Sequence, residues 1–370
     1  MVEKRIRSSR PFFPKEDIEQ ILSDISVALE NGWLRNGKNL SLYEQMFKEY
    51  IGTSHAVAFD SDSNALETAL HYYGIKGKEV VVSTNSFISV PNSVLYEGGR
   101  VVFSDIRAST LSMNPQCLSG IISKDTCGVI VTHIAGFPNP DLKEIMDICE
   151  EHSLFLIEDA THAVGALLGG RKIGTFGDAA VFASTPTKVL TTGEGGMLVT
   201  DNEDLSEMAK RFRYYGSGQG KTEFAELGRH MLLPEISAIL GVYQLRRLEE
   251  FIEKRNRIAR IYDCQLGSYY GIVNCTADNR CSYYKYPLTL DRNTDRMRFV
   301  DVLIKQYGIE TGNVFYPPCH MQAFYRSRTG TRLPVSERIL EKTITLPMHA
   351  AMSEEEAKYV AESVNAIGKD

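Results

Sequence analysis

Short apolar runs alternate with stretches of helical length between residues 55 and 200. The runs fall at 56–59, 79–82, 101–103, 129–131, 154–157, 179–182 and 197–200, with little polar alternation inside them. Strands of that texture are buried on both faces, which predicts a mainly parallel sheet with helices over both sides. The stretches between them supply the helices: residues 141–151 put Leu142, Ile145, Met146 and Cys149 on one helical face. The pattern predicts an α/β fold built on a seven-stranded, doubly wound sheet, whose ligands sit outside the carboxyl ends of the strands.

The texture changes after residue 200. Residues 235–260 read as one long amphipathic helix, carrying Leu240, Leu245, Leu248 and Phe251, that links two domains. A strand over 283–290, a helix over 295–307, the Pro-rich loop Tyr316-Pro317-Pro318 and a closing helix over 353–367 predict a smaller α+β unit. The expected division is a large domain at 1–245, including the N-terminal segment, and a small C-terminal domain at 246–370. No internal repeat or low-complexity tract interrupts either.

Charge and composition narrow the function classes. The 41 Lys and Arg residues against 47 Asp and Glu give a net charge of −6, and no basic stripe offers itself to a nucleic acid. The apolar runs are strand-sized, as in Glu79-Val80-Val81-Val82, so no membrane-spanning helix is expected. Met1-Val2-Glu3-Lys4-Arg5 lacks the apolar core of a signal peptide. Seven cysteines, at 117, 127, 149, 264, 275, 281 and 319, include no pair at CxxC spacing. That reads as reduced thiols in the cytoplasm, with no metal site.

The predicted strand ends collect polar residues. Ser61-Asp62-Ser63-Asn64 follows the first run and opens a helix, as an ordinary cap or as a phosphate turn. Asn85-Ser86-Phe87 follows the second, where an aromatic is by itself no more than core filler. His133 follows the fourth run, and Glu158-Asp159-Ala160-Thr161-His162 the fifth. An acid at the end of a buried strand is either a helix cap or a charge placed for a ligand. Beyond the sixth run come Ser184-Thr185-Pro186-Thr187-Lys188 and Thr191-Thr192-Gly193-Glu194-Gly195-Gly196. A lysine between hydroxyl-rich turns suits a nucleophilic amine, and the glycines fit neither Walker nor dinucleotide spacing. Together these residues suit pyridoxal phosphate (PLP). That cofactor needs an amine for its Schiff base, a carboxylate at its pyridine nitrogen, an aromatic on one ring face and donors for its phosphate. Lys188, Asp159, Phe87 and the Ser63/Asn64 turn fill those roles in order.

The run from Val181 to Met197, centred on Lys188, resembles the lysine segment of the DegT/DnrJ/EryC1/StrS aminotransferases, the sugar aminotransferases. The resemblance extends over nearly the whole chain: Asn31-Gly32-Trp33-Leu34, Glu158 to Ala166, Gly174-Thr175-Phe176-Gly177-Asp178, Pro234-Glu235-Ile236-Ser237-Ala238, His320 to Tyr325, and Leu346-Pro347-Met348-His349. It implies the aspartate aminotransferase-like architecture, PLP fold type I. It also implies PLP-dependent transfer of an amino group, usually from glutamate, to a keto group on a nucleotide-linked sugar or a cyclitol. By motif matching, Lys188 carries the cofactor and shuttles a proton, Asp159 pairs with the pyridine nitrogen, and His162 meets the cofactor's ring oxygen. Phe87 is the stacking aromatic and Ser63 and Asn64 match the phosphate-binding turn, while Ser184 is a further candidate cofactor contact whose hydroxyl lies near the position where the family has a serine. Trp33, Tyr316 and His320 are candidate substrate contacts. A homodimer is implied too, with each site built across the interface.

Three departures from the family pattern touch the phosphate or the interface. Ala183 replaces a serine five positions before the lysine, and Asp62 stands in the middle of the phosphate turn. The Gly-x-Asn-x-Arg element reads Gly228-Arg229-His230-Met231-Leu232. They keep open a binding or regulatory protein of reduced activity. Sugar 3-dehydratases of the same superfamily carry histidine in place of the lysine, so Lys188 argues against that reaction.

Overall fold

The computed structural model describes residues 5–217, 223–267, 270–273, 275 and 278–368. The strands of the first two hundred residues are β1 (His55–Phe59), β2 (Glu79–Ser83), β3 (Arg100–Ser104), β4 (Thr126–Thr132), β5 (Phe155–Asp159), a short antiparallel pair β6 (Leu167–Leu168) and β7 (Arg171–Lys172), β8 (Ala179–Ala183) and β9 (Gly196–Thr200). Seven of them form one sheet in the order β1-β9-β8-β5-β4-β2-β3, and each predicted run overlaps one of these strands. All run parallel except β9, which is antiparallel to both β1 and β8.

Period-two alternation decides which cluster each side chain joins. Val80, Val82 and Ile130 pack with Ala65, Leu66, Leu70 and Val94 on one face of the sheet. Val81, Val129 and Val131 pack with Leu142, Ile145, Val242 and Ile252 on the other. Both layers are buried, so the sheet is packed from both sides up to its carboxyl edge.

The remaining strands, β10 (Gly271–Ile272), β11 (Tyr286–Thr289) and β12 (Thr343–Leu346), form a small antiparallel sheet. It packs with helices Arg296–Tyr307, Pro334–Lys342 and Glu354–Ile367 around Leu288, Phe299, Leu303, Leu340, Ile344 and Val364. Ser353 closes a capping box with Glu356 at the start of the last helix, where the sequence pattern placed it. Ile6 pairs with Ile309 and joins this same core.

Three expectations need correction. The long helix over 235–260 is two helices, Glu235–Arg246 and Leu248–Leu266, broken at Arg247. Arg247 is held there by Glu16, Asp17 and Glu250, ion pairs that a continuous apolar pattern does not reveal. The strand over 283–290 shrinks to Tyr286–Thr289. Before it, Ser282 N–H donates to the Gly136 carbonyl and Lys285 N–H to that of Ala135, 3.0 and 3.1 Å, so the segment docks on the large sheet's edge. Gly136 permits this, at φ +95° and with space for no side chain: a Cβ there would lie 2.7 Å from Tyr284 N. Finally, Cys275 and Cys281 form a disulfide, against the all-thiol reading. The β-bridge of Arg280 with Leu167 pins their loop, and their Cα atoms are 6.2 Å apart, a separation that neither CxxC spacing nor parity addresses. Among the described residues no cluster suits a metal and no helix is long and apolar enough to cross a membrane.

Candidate functional site

Asp159 ends β5 opposite Thr132 of β4. It is 1% exposed, and its carboxylate accepts from Thr132 Oγ1 at 2.9 Å, Thr161 Oγ1 at 2.7 Å and Thr161 N at 3.3 Å. Every donor is neutral, and no cation of the described residues pairs with it. Directly beneath lies Glu158, fully buried, which accepts from the backbone of Gly174, Phe176 and Gly177 at 2.6–3.0 Å. Its fourth partner is His133 Nε2 at 3.0 Å, and Asn139 N donates to the opposite ring nitrogen, which leaves the imidazole proton on the side of Glu158. Burial opposes the Glu158 charge, yet His133 and the backbone donors outweigh it and hold the carboxyl below its ordinary range. The Glu158–His133 pair thus ties β4, β5 and the segment before β8 into one support for Asp159.

Lys188 lies in the loop between β8 and β9. Its ammonium is half-buried, sits 4.6 Å from the centre of the Tyr284 ring, and has no carboxylate within ion-pairing distance among the described residues. Tyr284 shares a 3.1 Å hydrogen bond with Thr187. Burial pushes its phenol up, but the charges of Lys188 and Lys285 prevail and bring it below its usual value. His162 is buried against the same ring at 4.3 Å and against Phe315 at 5.4 Å. Ala135 N donates to His162 Nδ1 at 3.2 Å, so the ring proton resides on Nε2. Burial, then the charges of Lys188 and Lys285, hold that histidine well below its ordinary pKa and therefore neutral. Phe87, 53% exposed, adds a second aromatic edge 5.6 Å from Phe315.

The turn at 61–64 caps helix Asp62–Tyr72. Ser61 Oγ accepts from Asn64 N at 3.2 Å, and the Asn64 amide donates to Asp60 at 2.6 Å. Gly196 of β9 meets this helix start so closely that a Cβ would lie 2.4 Å from Asp62 N. Ser184 hydrogen-bonds Thr192 at 2.6 Å across the base of the lysine loop. These positions cluster Ser63, Asn64 and Ser184 near one end of the sheet edge. Burial raises the Asp62 carboxyl, the Lys188 charge lowers it and Asp159 raises it again.

Other sequence candidates stand elsewhere. His320 is 2% exposed, and its two ring nitrogens face Thr84 Oγ1 at 2.7 Å and Glu337 at 3.3 Å, so it is a buried strut with no nitrogen left for a sugar. Tyr316 is half-buried beneath the Arg296 guanidinium, 5.4 Å away. Trp33 is 63% exposed and lines a cavity of about 520 Å³ with Asp24, Val27, Lys38 and Glu235, none of them part of the Lys188 cluster. Arg229 is taken up by Glu67 at 2.7 Å and Glu97 at 3.6 Å, His230 stacks on Tyr215, and Leu232 is buried. Sequence reasoning missed Thr132, Tyr284, Lys285 and Phe315. The available signal was the run Tyr283-Tyr284-Lys285 at the start of a buried strand.

The fit of PLP can be judged from these groups. A buried carboxylate without a cation, and an ammonium without an anion beside aromatic rings and a neutral histidine, suit the cofactor's pyridine nitrogen, aldehyde and ring. At the phosphate end Asn64 is already engaged with Ser61 and Asp60, which leaves Ser63 and the first N–H groups of the helix as donors, with the Asp62 carboxyl beside them.

The sequence model of the DegT/DnrJ/EryC1/StrS aminotransferase family matches residues 15–365. The spore coat polysaccharide biosynthesis protein SpsC of Bacillus subtilis is 32% identical, over 100% of this chain and 99% of its own. A GDP-perosamine synthase of Vibrio cholerae is 28% identical, covering 92% and 94%. Among solved structures, Helicobacter pylori PseC, an aminotransferase involved in the biosynthesis of pseudoaminic acid, superimposes with a TM-score of 0.92 at 27% identity, over 99% of this chain and 100% of that one. Likeness along the full length, in sequence and in fold, makes this chain a member of the DegT/DnrJ/EryC1/StrS family and a PLP-dependent aminotransferase.

Proposed function

We propose that the enzyme moves an amino group from glutamate to the keto group of a nucleotide-linked sugar. The observation that carries the chemistry is the pair of unmatched charges, Asp159 on its threonine donors and Lys188 over Tyr284. The acceptor class rests on the relatives, among them a GDP-perosamine synthase and a Campylobacter jejuni UDP-4-amino-4,6-dideoxy-N-acetyl-beta-L-altrosamine transaminase.

Bound PLP supplies an electron sink and a carrier for the amino group. Asp159 would hold a proton on the pyridine nitrogen, and Thr132 and Thr161 fix the direction of its carboxylate. Lys188 Nζ is the nucleophile and, once free, the base that moves the proton of the carbon bearing nitrogen. The Tyr284 ring holds the Lys188 side chain at the site with no carboxylate partner among the described residues. His162 offers its Nε2 proton to the cofactor's ring oxygen, Phe87 covers one ring face, and Ser63, Ser184 and the first N–H groups of helix Asp62–Tyr72 serve the phosphate. A homodimer is part of this reading, supported by the exposed apolar residues Ile18, Leu22, Val27, Leu29 and Trp33 near the N-terminus.

Glutamate added to PLP-loaded protein should bleach its visible absorption and release 2-oxoglutarate. The aminated form should then convert members of a panel of keto-sugar nucleotides. Borohydride reduction of the loaded protein, followed by peptide mapping, should mark Lys188. Absence of 2-oxoglutarate together with label at another lysine would sink the proposal.

A further inference from the structure

Lys285 has no part in the chemistry described so far, yet it faces the same ring as Lys188. The two ammonium groups lie 5.5 and 4.6 Å from the Tyr284 centroid, and Lys285 also lies 5.4 Å from the Phe315 ring. The ammonium's one hydrogen bond among the described residues is to the Asn313 carbonyl, at 2.8 Å. An ammonium has three donors, so two are without a protein acceptor, and no carboxylate among the described residues pairs with it.

That arrangement is unfavourable for a lysine that only packs. A half-buried cation ordinarily finds a carboxylate or extends its tip to water. Lys285 instead is set beside a second cation and a neutral histidine. Burial, and the neighbouring Lys188 charge, hold its pKa below the usual lysine value, while Tyr284 pulls the other way. The main chain enforces the position: the Lys285 N–H to Ala135 carbonyl bond and the close approach at Gly136 turn residues 282–285 onto the sheet edge. In a chain of net charge −6 this creates a local positive pocket next to the reacting amine.

We propose that Lys285 is a substrate anchor whose ammonium holds an anionic group, carboxylate or phosphate, of the molecule that reacts at Lys188. The inference rests on the aminotransferase reading, since both partners of that reaction carry such a group: the amino-acid donor its carboxylates, the nucleotide sugar its diphosphate. Phe315 and Tyr284 flank the ammonium and exclude water from one side, which strengthens its attraction for an anion.

The test uses PLP-loaded wild type, Lys285→Gln and Lys285→Arg. Two half-reactions are followed, with glutamate and with the keto-sugar nucleotide that the wild type accepts. Binding of unreactive probes is measured alongside by calorimetry: maleate for a dicarboxylate, and UDP, GDP and dTDP for a diphosphate. If the anchor serves the donor, Lys285→Gln raises KM for glutamate tenfold or more and weakens maleate equally, with little change in kcat or in nucleotide binding. If it serves the acceptor, the nucleotide arm shows the loss and the maleate arm does not. In either case Lys285→Arg keeps most of the affinity. Unchanged KM values and probe affinities in a folded, loaded Lys285→Gln protein overturn the proposal. So does a general loss accompanied by a lower melting temperature, the mark of a packing residue. Should the wild type fail to release 2-oxoglutarate, the aminotransferase reading fails, while the maleate and nucleotide binding arms still decide whether Lys285 holds an anion.

Discussion

The two charged walls of the site are built in opposite ways. The Asp159 wall is saturated: its carboxylate has three donors, and the Glu158 carboxylate beneath it has four partners and no exposure. The Lys188 wall is sparse, with one aromatic face and no ion pair. A group that only has to hold a charge in place gains from every added hydrogen bond, because each removes a way to rotate. A group that must attack, leave and carry a proton loses by the same treatment. Under the proposed roles, the contrast between the walls is a division of labour written in hydrogen bonds.

Breaking the sparse wall should cost most activity. Lys188→Ala is expected to reduce transamination about 10³-fold or more while the fold and the melting temperature stay near wild type, since no ion pair is lost; steady-state rates and circular dichroism check both parts. Breaking the saturated wall should show first in stability. Glu158→Ala leaves the buried His133 and three backbone donors without their acceptor, and is expected to lower unfolding free energy by about 3–5 kcal/mol, read from urea denaturation. Thr132→Val removes one neutral donor from Asp159 and should weaken PLP binding about tenfold, measured by fluorescence titration of the apoprotein.

The smallest effect concerns pH. The folded His162 pKa lies well below the 6.5 that is ordinary for histidine in an unfolded chain. Below that pH the unfolded chain takes up a proton that the folded site refuses, so stability falls as pH drops from neutrality. His162→Gln should flatten that part of the dependence, seen as a smaller difference between urea midpoints at about pH 7 and about pH 5.5. An unchanged slope would mean that the ring is not the neutral, fixed donor that its contacts with Ala135 and Tyr284 describe.

Legibility in the sequence followed the range of the forces involved. The seven strands were visible because each is apolar on both faces, a local property of four or five residues. Asp159 was visible because it stands at the end of such a run, and Lys188 because a lone lysine sits between the hydroxyl-rich turns that follow one. Tyr284 and Lys285 were not, since their place depends on a backbone contact with Gly136, nearly 150 residues earlier in the chain. The same is true of the break at Arg247, set by acids on the N-terminal helix, and of the Cys275–Cys281 pair, set by the bridge between Arg280 and Leu167. His320 illustrates the reverse error: a polar residue in a family motif read as a contact, whereas Thr84 and Glu337 occupy both of its nitrogens.

The antiparallel setting of β9 has a consequence for how this enzyme can be altered. Because β8 and β9 are neighbours, residues 184–195 leave the sheet and re-enter it one strand away, and Ser184 and Gly195 are bonded across the exit at 2.9 Å. Lys188, the proposed nucleophile, thus lies in a segment closed at its own mouth, independent of any crossover helix. The flanking strands serve as fixed sockets for this segment, and a replacement for it would have to keep the Gly196 contact with the helix start, the Thr187 bond to Tyr284 and the packing of Val189 and Leu190.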